Sequence, residues 1–419
     1  MQKRISVEQL RLGMYIHELG CSWMDHPFWR KSFLLEEPHD LKTIASTRTQ
    51  WVSIDTSKGL DVAVEANSAS TVGCQPAAGS DCAGCWGIKQ TDNFAQASQA
   101  IPQRVSTAQE AARAEMICEK SKLAVASMFQ ETRMGQALNA DDALPIVEEI
   151  SSSVLRNPGA LISLARLKGK DDYTYMHSVA VCTLMVSLAR QLGLDAGQIR
   201  QAGLAGLLHD VGKMMIPPEI LNKPGKLTDA EFDTVKNHPA EGHKLLLGGI
   251  GITDMSLDVC LHHHEKVDGS GYPEKLAGDE ISLYAKMGAV CDVYDAITSN
   301  RPYKNGWEPA DSIRKMAEWS RGHFDQRIFQ AFVRRVGIYP TGSLVRLASG
   351  RLAVVIEQSE KSLLAPRVKV FFSIKSNCRI VTEITDLAHP ACRDKIESFE
   401  DPLKWHIHDL RELWSGLPG

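Results

Sequence analysis

The hydrophobic pattern of the chain changes character twice. Near the N-terminus it is short and strand-like: Trp51-Val52-Ser53-Ile54-Asp55 alternates at period two, and Gly13 marks a turn after Leu10 and Leu12. From Thr107 the period lengthens. Ala111, Ala112, Ala114, Met116, Ala124 and Met128 fill a run of strong helix formers to Arg133, and Leu144, Ile146, Val147, Ile150 and Val154 predict a second helix over 141–156. The pattern continues through 161–167. From 173 to 336 the reading is all-helical, with apolar runs at 179–192, 199–209, 230–238, 257–264 and 283–295. Thr228-Asp229-Ala230-Glu231 resembles a capping box and sets the start of one of these helices. Beyond Tyr339-Pro340 the residues become alternating or β-branched, at 343–347, 352–358 and 367–372, and a short helix near 403–414 closes the chain. The expected fold class is therefore mainly α. A helical domain (106–338) follows a small β-rich N-terminal module (1–65) and precedes a small α+β C-terminal region (339–419).

Between the module and the helices, residues 66–105 are dominated by Ser, Ala, Gly, Thr and Gln, and both periods vanish. Cys74, Cys82 and Cys85 fall here. One Cys pair and a stray are short of the four ligands of a structural zinc site, so the stretch reads as a flexible linker. The ten cysteines are scattered, without the dense even framework of a disulfide scaffold. Cys182, Cys260 and Cys291 sit in apolar helical runs and read as packing residues.

Composition narrows the function classes. The chain has 43% hydrophobic and 23% charged residues, as a globular protein does, and a net charge of -4 gives no basic field for a nucleic-acid polymer. No apolar run approaches the roughly 20 residues that span a bilayer, and no apolar stretch follows Met1-Gln2-Lys3-Arg4-Ile5 as in a signal peptide. The expected location is the cytoplasm.

The candidate chemistry centres on His209-Asp210. Leu204, Leu207 and Leu208 bury the helix that leads to it, and Gly212 and Pro217-Pro218 end that helix soon afterwards. A buried carboxylate without a partner is costly, and a metal ion suits both side chains. On the dipeptide alone, a capping Asp beside a core His would serve as well. The surroundings change the balance: six of the 14 histidines, His177, His209, His238, His262, His263 and His264, fall in this one apolar region. Asp292 and Asp295 follow in another apolar segment.

The order His177, His209-Asp210, His238, His263-His264, Asp292 resembles the HD superfamily of metal-dependent phosphohydrolases. His263-His264-Glu265 with Asp268-Gly269-Ser270-Gly271-Tyr272-Pro273 resembles the signature of its HD-GYP subfamily, the cyclic di-GMP phosphodiesterases. Lys223 to Thr228 and Arg301-Pro302-Tyr303-Lys304 are similar to that subfamily too, and the likeness covers about 150–340. Ser6 to Ile16 and Trp51 to Gly59 resemble a domain of unknown function that often precedes it, which implies a regulatory or docking role.

The resemblance implies a pair of metal ions sharing a bridging water of lowered pKa, which attacks the phosphodiester. Asp210 would bridge the ions, with His177, His209 and Asp292 on one and His238, His263 and His264 on the other. Five imidazoles and two carboxylates suit a first-row pair, iron or manganese, better than magnesium. Successive helical residues are rotated by about 100°, so three neighbouring histidines do not share one site; His262 is set aside. Some family members hold a third metal partly through a Glu four residues before the first His; here Tyr173 stands there, so two ions are expected. Lys213 resembles the family lysine that contacts phosphate or assists the leaving group, with Asp295 expected to orient it. Gly271, Tyr272 and Pro273 would shape the substrate pocket and a docking surface for a protein partner. Arg301 and Lys304 would hold the phosphates, and Tyr303 would stack on a base or pack. The implied reaction opens cyclic di-GMP to pGpG, and the resemblance does not decide whether GMP follows. Two alternatives stand beside it: another HD-type nucleotide phosphohydrolase, and a non-catalytic module that binds cyclic di-GMP.

Overall fold

The structure is a computed structural model, and it describes residues 2–19, 33–35, 38, 41, 44, 51–62, 104–166, 173–223, 225–299, 306–359 and 361–417. Residues 66–103 of the expected linker, with Cys74, Cys82 and Cys85, the aromatic residues Trp23, Phe28 and Trp29, and the candidate residues Arg301, Tyr303 and Lys304 lie outside these residues. The chain divides into two compact units, 1–100 and 101–419.

The first unit contains a small antiparallel sheet of β1 (Gln2–Ile5), β2 (Tyr15–Leu19), β3 (Phe33–Leu34) and β4 (Val52–Asp55), in the order β1-β4-β2-β3. Ile5, Met14, Ile16, Leu35, Ile44, Val52 and Ile54 bury one side of it. Val52 and Ile54 point into that core, as the period-two pattern requires.

The second unit is mainly helical. Its helices are α1 (Thr107–Arg133), α2 (Ala140–Arg156), α3 (Pro158–Arg166), α4 (Tyr173–Gln191), α5 (Ala196–Leu208), α6 (Pro218–Leu221), α7 (Asp229–Lys236), α8 (His238–Leu247), α9 (Asp254–His262), α10 (Leu283–Thr298), α11 (Pro309–Trp319) and α12 (Gln326–Val336). The capping box at Thr228 is present, with Glu231 N–H on Thr228 and Thr228 N–H on Glu231, and Lys223 adds an ion pair to the same Glu231 at 2.6 Å.

Glycines let the elements that carry the site approach closely. A Cβ on Gly206 of α5 would lie 2.9 Å from Met185 Cγ and 3.1 Å from the Cys182 backbone of α4. A Cβ on Gly212, in the 3₁₀ turn Val211–Met215, would lie 2.0 Å from the His238 carbonyl oxygen. Only glycine permits that contact, which holds the His209-Asp210 segment against the start of α8.

Five strands follow: β5 (Leu344–Leu347), β6 (Arg351–Glu357), β7 (Arg367–Ser373), β8 (Cys378–Asp386) and β9 (Ile396–Phe399), antiparallel in the order β8-β7-β6-β5-β9, and then α13 (Leu410–Ser415). Thr107 Oγ1 donates to the Ile356 carbonyl at 2.6 Å and Ser163 Oγ to the Thr341 carbonyl at 2.9 Å, so this sheet is stitched to α1 and α3 within one unit. The architecture is a helical body with a small antiparallel sheet on either side of it in the sequence. Among the described residues no helix is long and apolar enough to cross a membrane.

Candidate metal centre

Five elements deliver seven candidate ligands to one buried point. His177 comes from α4, His209 and Asp210 from the end of α5, His238 from the first turn of α8, His263 and His264 from just past α9, and Asp292 from α10. His177, His209, Asp210, His238, His263 and Asp292 are buried. The ligand atoms fall into two groups, His177 with His209 and Asp292, and His238 with His263 and His264, and a third set, His209 with Asp210 and His263, overlaps both; within each set the atoms lie within 4.8 Å of one another. Asp210 lies between the groups. Its Oδ2 is 3.3 Å from both His177 Nε2 and His209 Nε2, and its Oδ1 is 3.3 Å from His238 Nε2 and 3.7 Å from His263 Nε2.

Main-chain carbonyls set the tautomers. A carbonyl oxygen only accepts, so a ring nitrogen bonded to it must carry the hydrogen. His209 Nδ1 donates to Gly206 O at 2.8 Å, His238 Nδ1 to Val235 O at 2.7 Å, and His263 Nδ1 to Val259 O and Cys260 O, both at 3.0 Å. In each neutral ring the lone pair is then on Nε2, facing the centre. His238 Nε2 and His263 Nε2 stand 3.3 Å apart, and with both rings in the neutral Nδ1–H form their lone pairs face each other, a repulsion that a shared cation relieves. His209 Nε2 and Asp210 Oδ1 are buried and make no hydrogen bond: the 3.3 Å approaches around them are ionic contacts without hydrogen-bond geometry. Orphaned acceptors in a buried site cost free energy unless a cation satisfies them. The donor set and its geometry therefore fit divalent transition-metal ions.

The electrostatics of the two groups differ. Burial alone would lower the His177 pKa, but the carboxylates of Asp210, Asp292 and Asp295, which accept from its ring, outweigh it and push it up to about 10. Asp210 and Asp292 are held well below the usual carboxylate range: burial would raise them, and the surrounding imidazoles, with Lys213 for Asp210, prevail. In the other group burial and neighbouring imidazoles drive His263 well down, and burial takes His264 to about 3. Those rings keep their lone pairs at neutral pH.

Asp295 does not stand where the sequence reading put it. Its Oδ2 is 2.6 Å from His177 Nδ1 and its Oδ1 accepts from Ser299 Oγ at 3.2 Å, so it orients a candidate ligand; the expectation that it orients Lys213 is corrected accordingly. Lys213 instead places its ammonium on Asp210 Oδ2. The signal for Asp295 was its spacing: three residues after Asp292, it shares a helix face with it. His262 turns away, with Nδ1 2.8 Å from Asp258 and Nε2 3.2 Å from Glu274. Gly271, Tyr272 and Pro273 lie on the loop after the centre. The Tyr272 ring stacks on His264 with centroids 4.7 Å apart and planes at 27°, and burial pushes its phenol pKa up. Glu265 was quoted only as part of a motif; it is buried, and its contacts bridge nine residues, beyond any helical or strand period.

Comparison with known proteins gives two family matches: a domain of unknown function, DUF3391, over residues 2–143, and the HD domain over residues 156–328. A cyclic di-GMP phosphodiesterase of Pseudomonas aeruginosa is 52% identical over 100% of this chain and 96% of its own length. A cyclic di-GMP phosphodiesterase response regulator of Xanthomonas campestris is 41% identical over 35% of this chain and 39% of its own. A 3'3'-cGAMP-specific phosphodiesterase of Vibrio cholerae is 35% identical over 45% and 42%.

Proposed function

We infer the reaction from this premise: the chain belongs to the HD-domain cyclic di-GMP phosphodiesterases of the HD-GYP type, with a DUF3391 domain before the HD domain. It is a metal-dependent enzyme that hydrolyses cyclic di-GMP. The observation that carries the local mechanism is the position of Asp210, one carboxylate oxygen facing each group of imidazoles.

We propose that two divalent ions, iron or manganese, occupy the centre, with His177, His209 and Asp292 holding one, His238, His263 and His264 the other, and Asp210 both. When bound, such a pair neutralises charge on the phosphate and acidifies the attacking water. The chain's own residues do the rest. Asp295 holds the His177 ring with Nε2 turned inward and strengthens it as a donor. The carbonyls of Gly206, Val235 and Val259 do the same for His209, His238 and His263. Lys213, on a 3₁₀ turn beside Asp210, supplies a mobile positive charge to the phosphate or the leaving oxygen. Gly271, Tyr272 and Pro273 wall the pocket next to His264, and Arg301 and Lys304 grip the phosphates, with Tyr303 beside a base.

The division of labour we propose follows the segments: 106–338 does the chemistry, 1–65 takes regulatory or docking input across the linker 66–105, and 339–419 buttresses the helices. The enzyme works in the cytoplasm, and a protein partner docks on the Gly-Tyr-Pro loop or the N-terminal module.

The test is a hydrolysis assay of the metal-loaded protein on cyclic di-GMP, with 3'3'-cGAMP as comparator and the products resolved by chromatography. Formation of pGpG, alone or followed by GMP, is the expected result. Binding without turnover would make the chain a sensor, and faster turnover of 3'3'-cGAMP would change its substrate.

A further inference from the structure

We propose that Glu265 is a positioning residue for the reaction: its carboxylate clamps the return of the 271–275 loop and so keeps Tyr272 stacked on His264. This rests on the reading that the loop walls the substrate pocket.

The loop leaves the centre at His264 and comes back to it. Its outward limb is held by main chain, since Val267 N–H donates to His323 O at 3.4 Å and Asp268 N–H to Gly322 O at 3.1 Å. Its tip closes on itself, with Asp268 Oδ1 accepting from Ser270 N and Oγ at 2.9 and 2.6 Å, and Gly269 at a φ of 76°. The return limb is different. Glu274 N–H and Lys275 N–H both donate to one side-chain atom, Glu265 Oε1, at 2.7 and 3.0 Å. Lys275 takes a φ of 58°, a left-handed conformation that a non-glycine residue holds only when its surroundings impose it.

Between the two limbs the loop lies on the Glu265 backbone. A Cβ on Gly271 would come within 2.5 Å of Glu265 Cα and of Lys266 N. Tyr272 N–H donates to His264 O at 3.3 Å, and the Tyr272 ring lies over the His264 ring. The pair His264-Glu265 thus receives both ends of Tyr272-Pro273: His264 gives its ring and carbonyl to Tyr272, and Glu265 gives its carboxylate to the two residues after Pro273. One carboxyl oxygen that accepts from two amides is a strong anchor in a buried site. The second oxygen, Oε2, is buried without a hydrogen-bond partner, a cost that a clamp serving stability alone does not require. Glu265 is itself 2% exposed, so its action on the reaction runs through the loop and not through direct contact with solvent.

The experiment compares Glu265→Ala, Glu265→Gln, Tyr272→Ala and the Glu265→Ala/Tyr272→Ala double variant in the full metal-loaded chain. Cyclic di-GMP and the small diester bis(p-nitrophenyl) phosphate serve as substrates. For cyclic di-GMP, Glu265→Ala is expected to raise KM about tenfold or more and to change kcat by less than threefold. The loss on the small diester should be much smaller, metal content should stay at the wild-type value, and Glu265→Gln, which keeps one carbonyl acceptor, should recover part of the loss. The double variant should be no worse than Tyr272→Ala, because residues that act through one another are not additive. Equal losses on both substrates, depletion of metal, or additive losses in the double variant would overturn the proposal. A readout without substrate separates this claim from the assignment of activity: with 3-fluorotyrosine incorporated, the Tyr272 ¹⁹F resonance, assigned by its loss in Tyr272→Phe, should move in Glu265→Ala. An inactive wild type with that shift would sink the activity and keep the clamp, whereas an unmoved resonance would sink the clamp.

Discussion

The two halves of the centre meet at Asp210 and are built from different materials. The half with His177, His209 and Asp292 is rich in carboxylate, and Asp295 stands behind it on His177 Nδ1. It attracts a cation of any kind strongly enough to raise the His177 pKa to about 10. The half with His238, His263 and His264 draws its ligands from imidazoles, backed by carbonyls or by a tyrosine ring, and burial makes His263 and His264 resist protonation. The first half favours a positive charge on His177 even without a metal, whereas His263 and His264 in the second half disfavour one. Asp210 gives both halves a common anion at 3.3 Å, and Asp292 Oδ2 reaches toward the second half more distantly, 3.8 Å from His264 Nδ1.

The largest expected effect comes from removing that common anion. Asp210→Ala should lower kcat at least ~10³-fold, the scale seen when a central catalytic group is removed. It should deplete metal from both halves and leave circular dichroism near wild type, because Asp210 lies beyond the end of α5 and the apolar face at Leu204, Leu207 and Leu208 is untouched. Loss of metal from one half only would mean that the halves do not share Asp210.

A smaller effect should separate the halves. Asp295→Asn keeps an acceptor for His177 Nδ1 but removes the charge behind it. The affinity of the carboxylate half for metal should fall by about 10- to 100-fold, with the imidazole half unchanged. Equal weakening of both sites in a metal titration would contradict the asymmetry.

The smallest effect is a proton count. Below about pH 10, His177 carries a proton in the metal-free protein, and a metal ion on Nε2 must displace it. His209 in the same half is also held above the usual imidazole range, so metal binding at pH 7 should release at least one proton at the carboxylate half and none from His263 or His264, which are already neutral there. The affinity of that half should rise with pH by at least about tenfold per unit while His177 still carries its proton. Calorimetry in two buffers of different ionisation enthalpy measures the proton count, and an absence of net release would contradict it.

Much of this arrangement was legible before any coordinates. The helix over 107–133, the capping box at Thr228 and the strands near 343–347, 352–358 and 367–372 follow from period and end signals, which are local. The candidate ligands were legible as a density of histidines and an ordered set of motifs, and the structure brings those seven side chains together. What local pattern could not supply was partnership across the fold. Asp295 was paired with Lys213 on chemical grounds, but α10 turns its carboxylate to α4 and His177. Gly212 read as a helix stop, whereas its lack of a side chain is what lets His238 come near. Strand β8 went unread because most of its positions are exposed, so no alternation marks it, and β1 is only four residues long.

The most direct test of a two-ion centre joined by Asp210 is the metal stoichiometry. Purified protein, reconstituted with iron or manganese under anaerobic conditions, should carry close to two metal atoms per chain by elemental analysis, and Asp210→Ala prepared alongside should carry few or none. One atom per chain in the wild type, or two atoms retained in Asp210→Ala, would contradict the account.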